Sequence, residues 1–289
     1  MNTLRRAAIA ASAALAIAAA GLGWQVYTGG ELRRQFEHDV AAGRAVMPSA
    51  RLVREDELAH LPAPVRRYVA YTGAVGRAFP YEYRARFRGR IRGGPDAPWM
   101  PIEVEQVSFT NPPARLFFLR ATMMGLPVIG LHRYVGAHAT MDIRIAGVFP
   151  VMRARGPEMD VSETVTLLND MAILAPGTLL DPAITWEAVS SDTTAATFTN
   201  AGHTVRARIV FDRSGRLTDF VSDDRLAASP DGRRFARWRW STPMRDYRHF
   251  GGPVLPSRGT ARWHPPEGAY DYAELEVLDV KWSPADAPH

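Results

Sequence analysis

The 289-residue sequence has no cysteine and, among its 35 basic residues, a single lysine, Lys281. The missing cysteine excludes a disulfide framework, thiolate metal sites, a cysteine nucleophile and a lipid-modified N-terminal cysteine, so any membrane attachment has to come from a helix. Signatures of common chemistry are also absent. There is no G-x-S-x-G, no phosphate-binding loop, no G-x-G-x-x-G after a strand and no H-E-x-x-H, which removes the usual hydrolase, nucleotide-hydrolysing and dinucleotide readings. No internal repeat is visible. What is present is an ordinary globular composition, 46% apolar and 22% charged, sufficient for one large or two small domains. The net charge of +5 is dilute over this length, so a nucleic-acid or membrane partner has to be argued from where the arginines sit.

Arg5 and Arg6 precede an apolar run, Ala7 to Gly23, with Trp24, Val26 and Tyr27 where an interfacial aromatic belt would lie. This reads as a targeting segment over residues 1–27. The run of 17 residues reaches about 26 Å as a helix, short of the roughly 30 Å hydrocarbon core unless it continues through Trp24 and Tyr27. Ala18-Ala19-Ala20 before Gly21 also fits a signal-peptidase site, so a retained anchor and a cleaved signal peptide compete. The uninterrupted passage into the aromatics favours the anchor. The expected location is a bacterial inner membrane, single-pass, with the remainder in the periplasm, or secreted if the signal is cleaved. Residues 28–60 are expected as a juxtamembrane stalk, with Leu32, Phe36 and Val40 at helical spacing, and 61–289 as the folded domain.

In that domain Pro64 and Gly73 bracket a short helix whose Val65, Tyr68 and Val69 share a face. From Tyr81 the period becomes two. Tyr81, Tyr83, Ala85, Phe87, Gly89 and Ile91 alternate with Glu82, Arg84, Arg86, Arg88, Arg90 and Arg92, which predicts a strand with one apolar and one arginine-rich face. Pairing with 100–110 around Pro95-Asp96 sets Arg88 opposite Glu103 and Phe87 opposite Val104, so the faces agree. Nucleic-acid platforms interleave aromatics with basic residues on one face; here they lie on opposite faces, so no nucleic-acid partner is expected. Further strands follow to 148, two of them apolar enough to be buried on both faces. A helix with Val161, Val165, Leu168 and Ala172 on one stripe covers 157–174. Hairpin-linked strands then run to Trp282, the last changing phase near Val277 to Asp279, where a bulge would bend it. The expected fold class is α+β: one large curved antiparallel sheet, half-barrel-like, covered by the central helix and preceded by the N-terminal membrane helix.

The run Leu61-Pro62-Ala63-Pro64-Val65-Arg66-Arg67-Tyr68, the run Glu163 to Asp170 with Pro176 beyond it, and Trp186, Phe211-Asp212 and Gly215-Arg216-Leu217 resemble an uncharacterised bacterial family of unknown function. Tyr247, Pro256, Gly259 and Trp263 fit it too, so the resemblance covers Leu61 to Trp282. The strand layout in turn resembles the half-barrel of periplasmic lipoprotein carriers and related lipid-binding envelope proteins. That resemblance implies a curved sheet wrapped round helices and an apolar cavity.

Methionines concentrate where sheet and helix should meet, and such soft side chains suit a varied apolar ligand as well as plain core. The expected ligand-lining residues are Met123, Met124, Leu126, Met141, Val165, Leu168 and Trp186. Glu163 and Asp170 lie seven apart, two helical turns, and are the candidates for acid/base chemistry; the alternatives are surface charge, or, with Asn169, hydrogen bonds tying helix to sheet. His132 and His138, with Asp142 or Glu158, are the nearest approach to a metal grouping and lack a ligand spacing, so no metal and no cofactor are expected. The leading reading is a non-enzymatic, membrane-tethered envelope protein that binds a lipid or other apolar ligand in a half-barrel cavity. An enzyme using Glu163 and Asp170, and a scaffold whose protein partner is unknown, are the alternatives.

Overall fold

The computed structural model describes residues 30–283 together with 15, 16, 19–21 and 23. The expected targeting helix over 1–27 otherwise lies outside the described residues, and among those described no helix is long and apolar enough to cross a membrane. Two helices come first, α1 (Gly30–Ala45) and α2 (Ala63–Tyr71). A meander of strands follows: β1 (Glu82–Ile91), β2 (Met100–Thr110), β3 (Pro113–Met123), β4 (Leu126–Val135), β5 (His138–Ile145) and β6 (Phe149–Arg155). Helix α3 (Pro157–Leu174) then leads to β7 (Ile184–Ala188), β8 (Thr193–Asn200), β9 (His203–Phe211), β10 (Leu217–Ser222), β11 (Leu226–Ala228), β12 (Phe235–Arg237), β13 (Arg239–Ser241), β14 (Met244–His249), β15 (Val254–His264) and β16 (Tyr270–Ser283).

Among the described residues, all strands but β11 and β12 join one antiparallel sheet, in the order β6-β5-β4-β3-β2-β1-β16-β15-β13-β10-β9-β8-β7, with β14 beside β15. The free edges are β6 and β7, the two strands that flank α3 in sequence. The helix must therefore cross from one edge to the other, over the concave face. The curl is measurable. β4 and β8 stand nine places apart in the strand order, about 43 Å along a flat sheet at about 4.8 Å per strand. Yet Asn200 of β8 donates to the Tyr134 hydroxyl of β4 at 2.7 Å, and that hydroxyl also meets Thr164 of α3 at 2.9 Å. The α+β half-barrel expected from the sequence is thus present, with α3 inside it.

The β1–β2 register is the expected one, with Arg88 opposite Glu103, Arg86 opposite Glu105 and Phe87 opposite Val104. Three of the five arginines of this face are paired on its other side, Arg86 with Asp279, Arg88 with Glu276 and Arg90 with Glu274 of β16. Along β1–β16 the partners step from Asp279 to Val277 between Arg86 and Phe87, so Leu278 is the extra residue of a bulge. It bends β16 and resets its phase. At Gly89 a side chain would put Cβ 2.0 Å from the Glu274 carbonyl oxygen, so only glycine lets the two strands close there.

Helix α1 does not stand apart as a stalk. Its stripe Leu32, Phe36 and Val40 is buried against Val107, Phe109, Leu116, Phe118, Ile129 and Leu131 on the convex face of β2–β4. This explains why β3 and β4 are apolar at both parities: α1 covers one face and the interior of the half-barrel the other.

Candidate functional site

On α3, positions 159, 162, 163, 166, 169, 170 and 173 recur at helical spacing and face one way. Met159, Ser162, Glu163, Thr166, Asn169, Asp170 and Ile173 all line a cavity of about 530 Å³ between the helix and the sheet. The opposite stripe, Val165, Leu168 and Ala172, is fully buried in the core shared with α2 and β8–β10. The helix is fixed at its far end by two donors to its last-turn carbonyls, which have no partner within the helix. Tyr68 of α2 donates to Ala172 O at 2.8 Å, and Trp282 Nε1 to Leu174 O at 2.9 Å. Thr242 beyond β13 donates to Asn169 Oδ1 at 2.7 Å.

The inward parity of the sheet supplies the remaining wall. From β1 to β5 it is mainly apolar, with Phe87, Ile102, Phe117, Leu119, Met141 and Ile143. Across the cavity stand aromatics of β13, β15 and β16: Trp240 and Trp263 have ring centroids 6.5 Å apart, and Tyr272 stacks on Trp263 at 5.7 Å.

One end of the cavity is polar. Arg115 of β3 reaches α3 with Nε donating to Asp170 Oδ2 at 2.5 Å and Nη1 to Glu163 Oε2 at 3.1 Å. Gln106 of β2 donates to the same Asp170 oxygen at 2.8 Å. His132 Nε2 lies 3.1 Å from Glu163 Oε1, close enough for an ion pair but misaligned for a hydrogen bond, and neither atom has a hydrogen-bond partner among the described residues. Burial works to raise the Glu163 pKa, but the neighbouring His132 and Arg115 overcome it and hold the carboxyl well below the usual carboxylate range. A carboxylate held ionised in this way is a poor proton donor at neutral pH.

Met123, Met141, Glu163 and Asp170 therefore lie together on the cavity lining. Met124 and Leu126 lie instead at the exposed β3–β4 turn, Val165 and Leu168 point away from the cavity into the core, and Trp186 of β7 is half-buried against that same core. His138 is brought to Asp160 at 3.5 Å, away from His132. Gln106, Arg115, His132 and Arg225 belong to the lining; of these the sequence marked only His132, and that as part of a metal grouping and not of a ligand wall. A signal existed for three of them. Arg115 shares parity with Phe117 and Leu119, Gln106 with Ile102 and Val104, and His132 with Val128; a polar residue on a core parity marks a buried network.

Against known proteins, the chain matches the family described as "Family of unknown function (DUF6544)" over residues 51–275 and belongs to it. No curated protein matches. Among solved structures it is similar to a LolA superfamily protein from Nitrosomonas europaea, with 12% identity, TM-score 0.39, and 78% of this chain and 94% of that one covered. It is similar also to a DUF1329 family protein from Desulfovibrio piger, with 10% identity, TM-score 0.42 and the same shares of 78% and 94%.

Proposed function

Taking membership of a family without assigned activity as the starting point, we propose that this protein binds a lipid or other apolar ligand in the half-barrel cavity and performs no chemistry on it. The observation that carries this reading is the cavity itself: about 530 Å³, within the roughly 300–1,000 Å³ of small-molecule sites, walled mainly by apolar side chains and enclosed by α3. An acyl chain burying about ten methylenes there gains about 8 kcal/mol at about 0.8 kcal/mol each, which offsets the lower part of the roughly 4–15 kcal/mol cost of association. The polar cluster supports the non-enzymatic side, because Glu163 and Asp170 share the Arg115 guanidinium and serve to hold α3 on the sheet. The N-terminal segment favours tethering at a bacterial inner membrane with the domain in the periplasm.

Ala121 lies on the cavity lining, between Ile102 and Val128 on neighbouring strands, where a larger ring displaces the ligand. The full chain should therefore bind a neutral fluorescent lipophile such as Nile red saturably, and A121W should lose at least about tenfold in affinity while keeping the wild-type circular dichroism. Equal binding by the folded variant contradicts the proposal.

A further inference from the structure

The charges on the lining say more about the ligand, given the reading of the cavity as a ligand site. Four arginines, Arg92, Arg115, Arg225 and Arg258, stand on it against two carboxylates, Glu163 and Asp170. Arg115 is engaged by both carboxylates. Arg258 has Asp246 and Glu276 at 3.7 and 3.9 Å, and Arg92 donates to the carbonyls of Asp271 and Pro95.

Arg225 differs from the other three: Arg92, also stacked on aromatic rings and without a carboxylate partner, is held by two carbonyls, whereas among the described residues Arg225 donates to neither a carboxylate nor a carbonyl. Its Nε donates to Thr166 Oγ1 at 3.0 Å, and its guanidinium lies over Trp240 and Trp263, 4.6 and 5.1 Å from the ring centroids. It forms no ion pair with a carboxylate among the described residues. Its position is fixed from both sides, since Leu226 N donates to Ser162 Oγ of α3 at 3.0 Å. A guanidinium stacked on indole keeps its N–H edge available, and that planar fork matches a carboxylate or phosphate with two parallel hydrogen bonds.

We infer that the ligand is an amphiphile with an anionic head, a carboxylate or phosphate, and that Arg225 receives that head while the apolar wall takes the chain. This rests on the cavity reading above, and its test separates the two. Nile red bound to the full chain is displaced by dodecanoate, dodecyl phosphate or dodecanol, which share a chain length and differ in head group. The two anions should displace it at concentrations at least about tenfold lower than dodecanol, as charge-assisted hydrogen bonds require, and their relative order tells carboxylate from phosphate as the preferred head.

R225Q should erase the preference, read within the variant as the ratio of the anions' displacing concentrations to that of dodecanol. R225K keeps the charge without the fork and should narrow the preference; it carries the test if R225Q fails to fold. Failure of Nile red to bind contradicts the cavity reading and this inference together. Equal displacement by all three amphiphiles contradicts the anionic head alone, and a preference undiminished in both variants contradicts the role of Arg225.

Discussion

Arg115 is the side chain that pairs with both buried carboxylates, whereas His132 lies beside Glu163 alone, which makes Arg115 the most consequential single side chain of the cavity's polar end. Removing one partner of a buried ion group leaves uncompensated charge, so R115M should cost about 3–5 kcal/mol in urea unfolding, and R115M/E163Q/D170N, which removes the stranded charges too, should recover part of it. The same group governs the acid limb. With the Glu163 carboxyl held below its ordinary 4.5, its stabilising contribution is full above about pH 4.5 and lost as pH falls further, and E163Q should flatten that loss. Asp219 behaves oppositely. Burial pushes it up to about 6, against the amides of Phe220 and Thr242 and the charge of Arg262, which pull it down. Its contribution is therefore intact below its unfolded value of 3.8 and lost as pH rises through about 6. The shift corresponds to about 3 kcal/mol, reduced to about 1–2 kcal/mol for residual solvent contact. D219N should match wild type in urea unfolding at pH 4 and exceed it by that amount at pH 8. Glu163 and Asp170 were legible as a pair on one helical face. Their partner was not, because Arg115 is 48 residues from one and 55 from the other, and single-strand periodicity says nothing of which helix will cross a sheet.

At the scale of elements, α1 covers an outer sheet face that would otherwise expose Leu116, Phe118 and Ile129. Phe36 is 1% exposed and its ring lies 5.7 Å from that of Phe118. F36A should cost about 3–5 kcal/mol and release α1 from the sheet, seen as early proteolytic cleavage within 30–45. The bounds of α3, the β1–β2 register and the position of the β16 bulge could all be read from hydrophobic period and turn residues, since each is set locally. β6 and β14 could not. β6 is a free edge, largely exposed, with Pro150 in it, and β14 is a charged offshoot with Asp246 at φ 59°; neither shows the apolar alternation that a half-buried strand displays. The packing of α1 was hidden for a different reason. Its stripe Leu32, Phe36 and Val40 announces a buried face but not what buries it.

Across the whole molecule, the path of the chain produces the cavity. α3 joins the sheet's two free edges, so the sheet must curl round it, and the helix's polar stripe and the sheet's inward parity then face each other over a space of about 530 Å³. Curvature of this kind was foreseeable from hairpin-linked strands interrupted by one helix, whereas the size of the space depends on side chains that meet only after folding. Native mass spectrometry of the full chain, purified without denaturant and incubated with a total lipid extract, tests the central claim most directly. The account predicts a species heavier than the bare chain by one lipid-sized molecule, released by organic solvent and absent from A121W. A wild-type spectrum holding the bare mass alone, with lipid in excess, would contradict it.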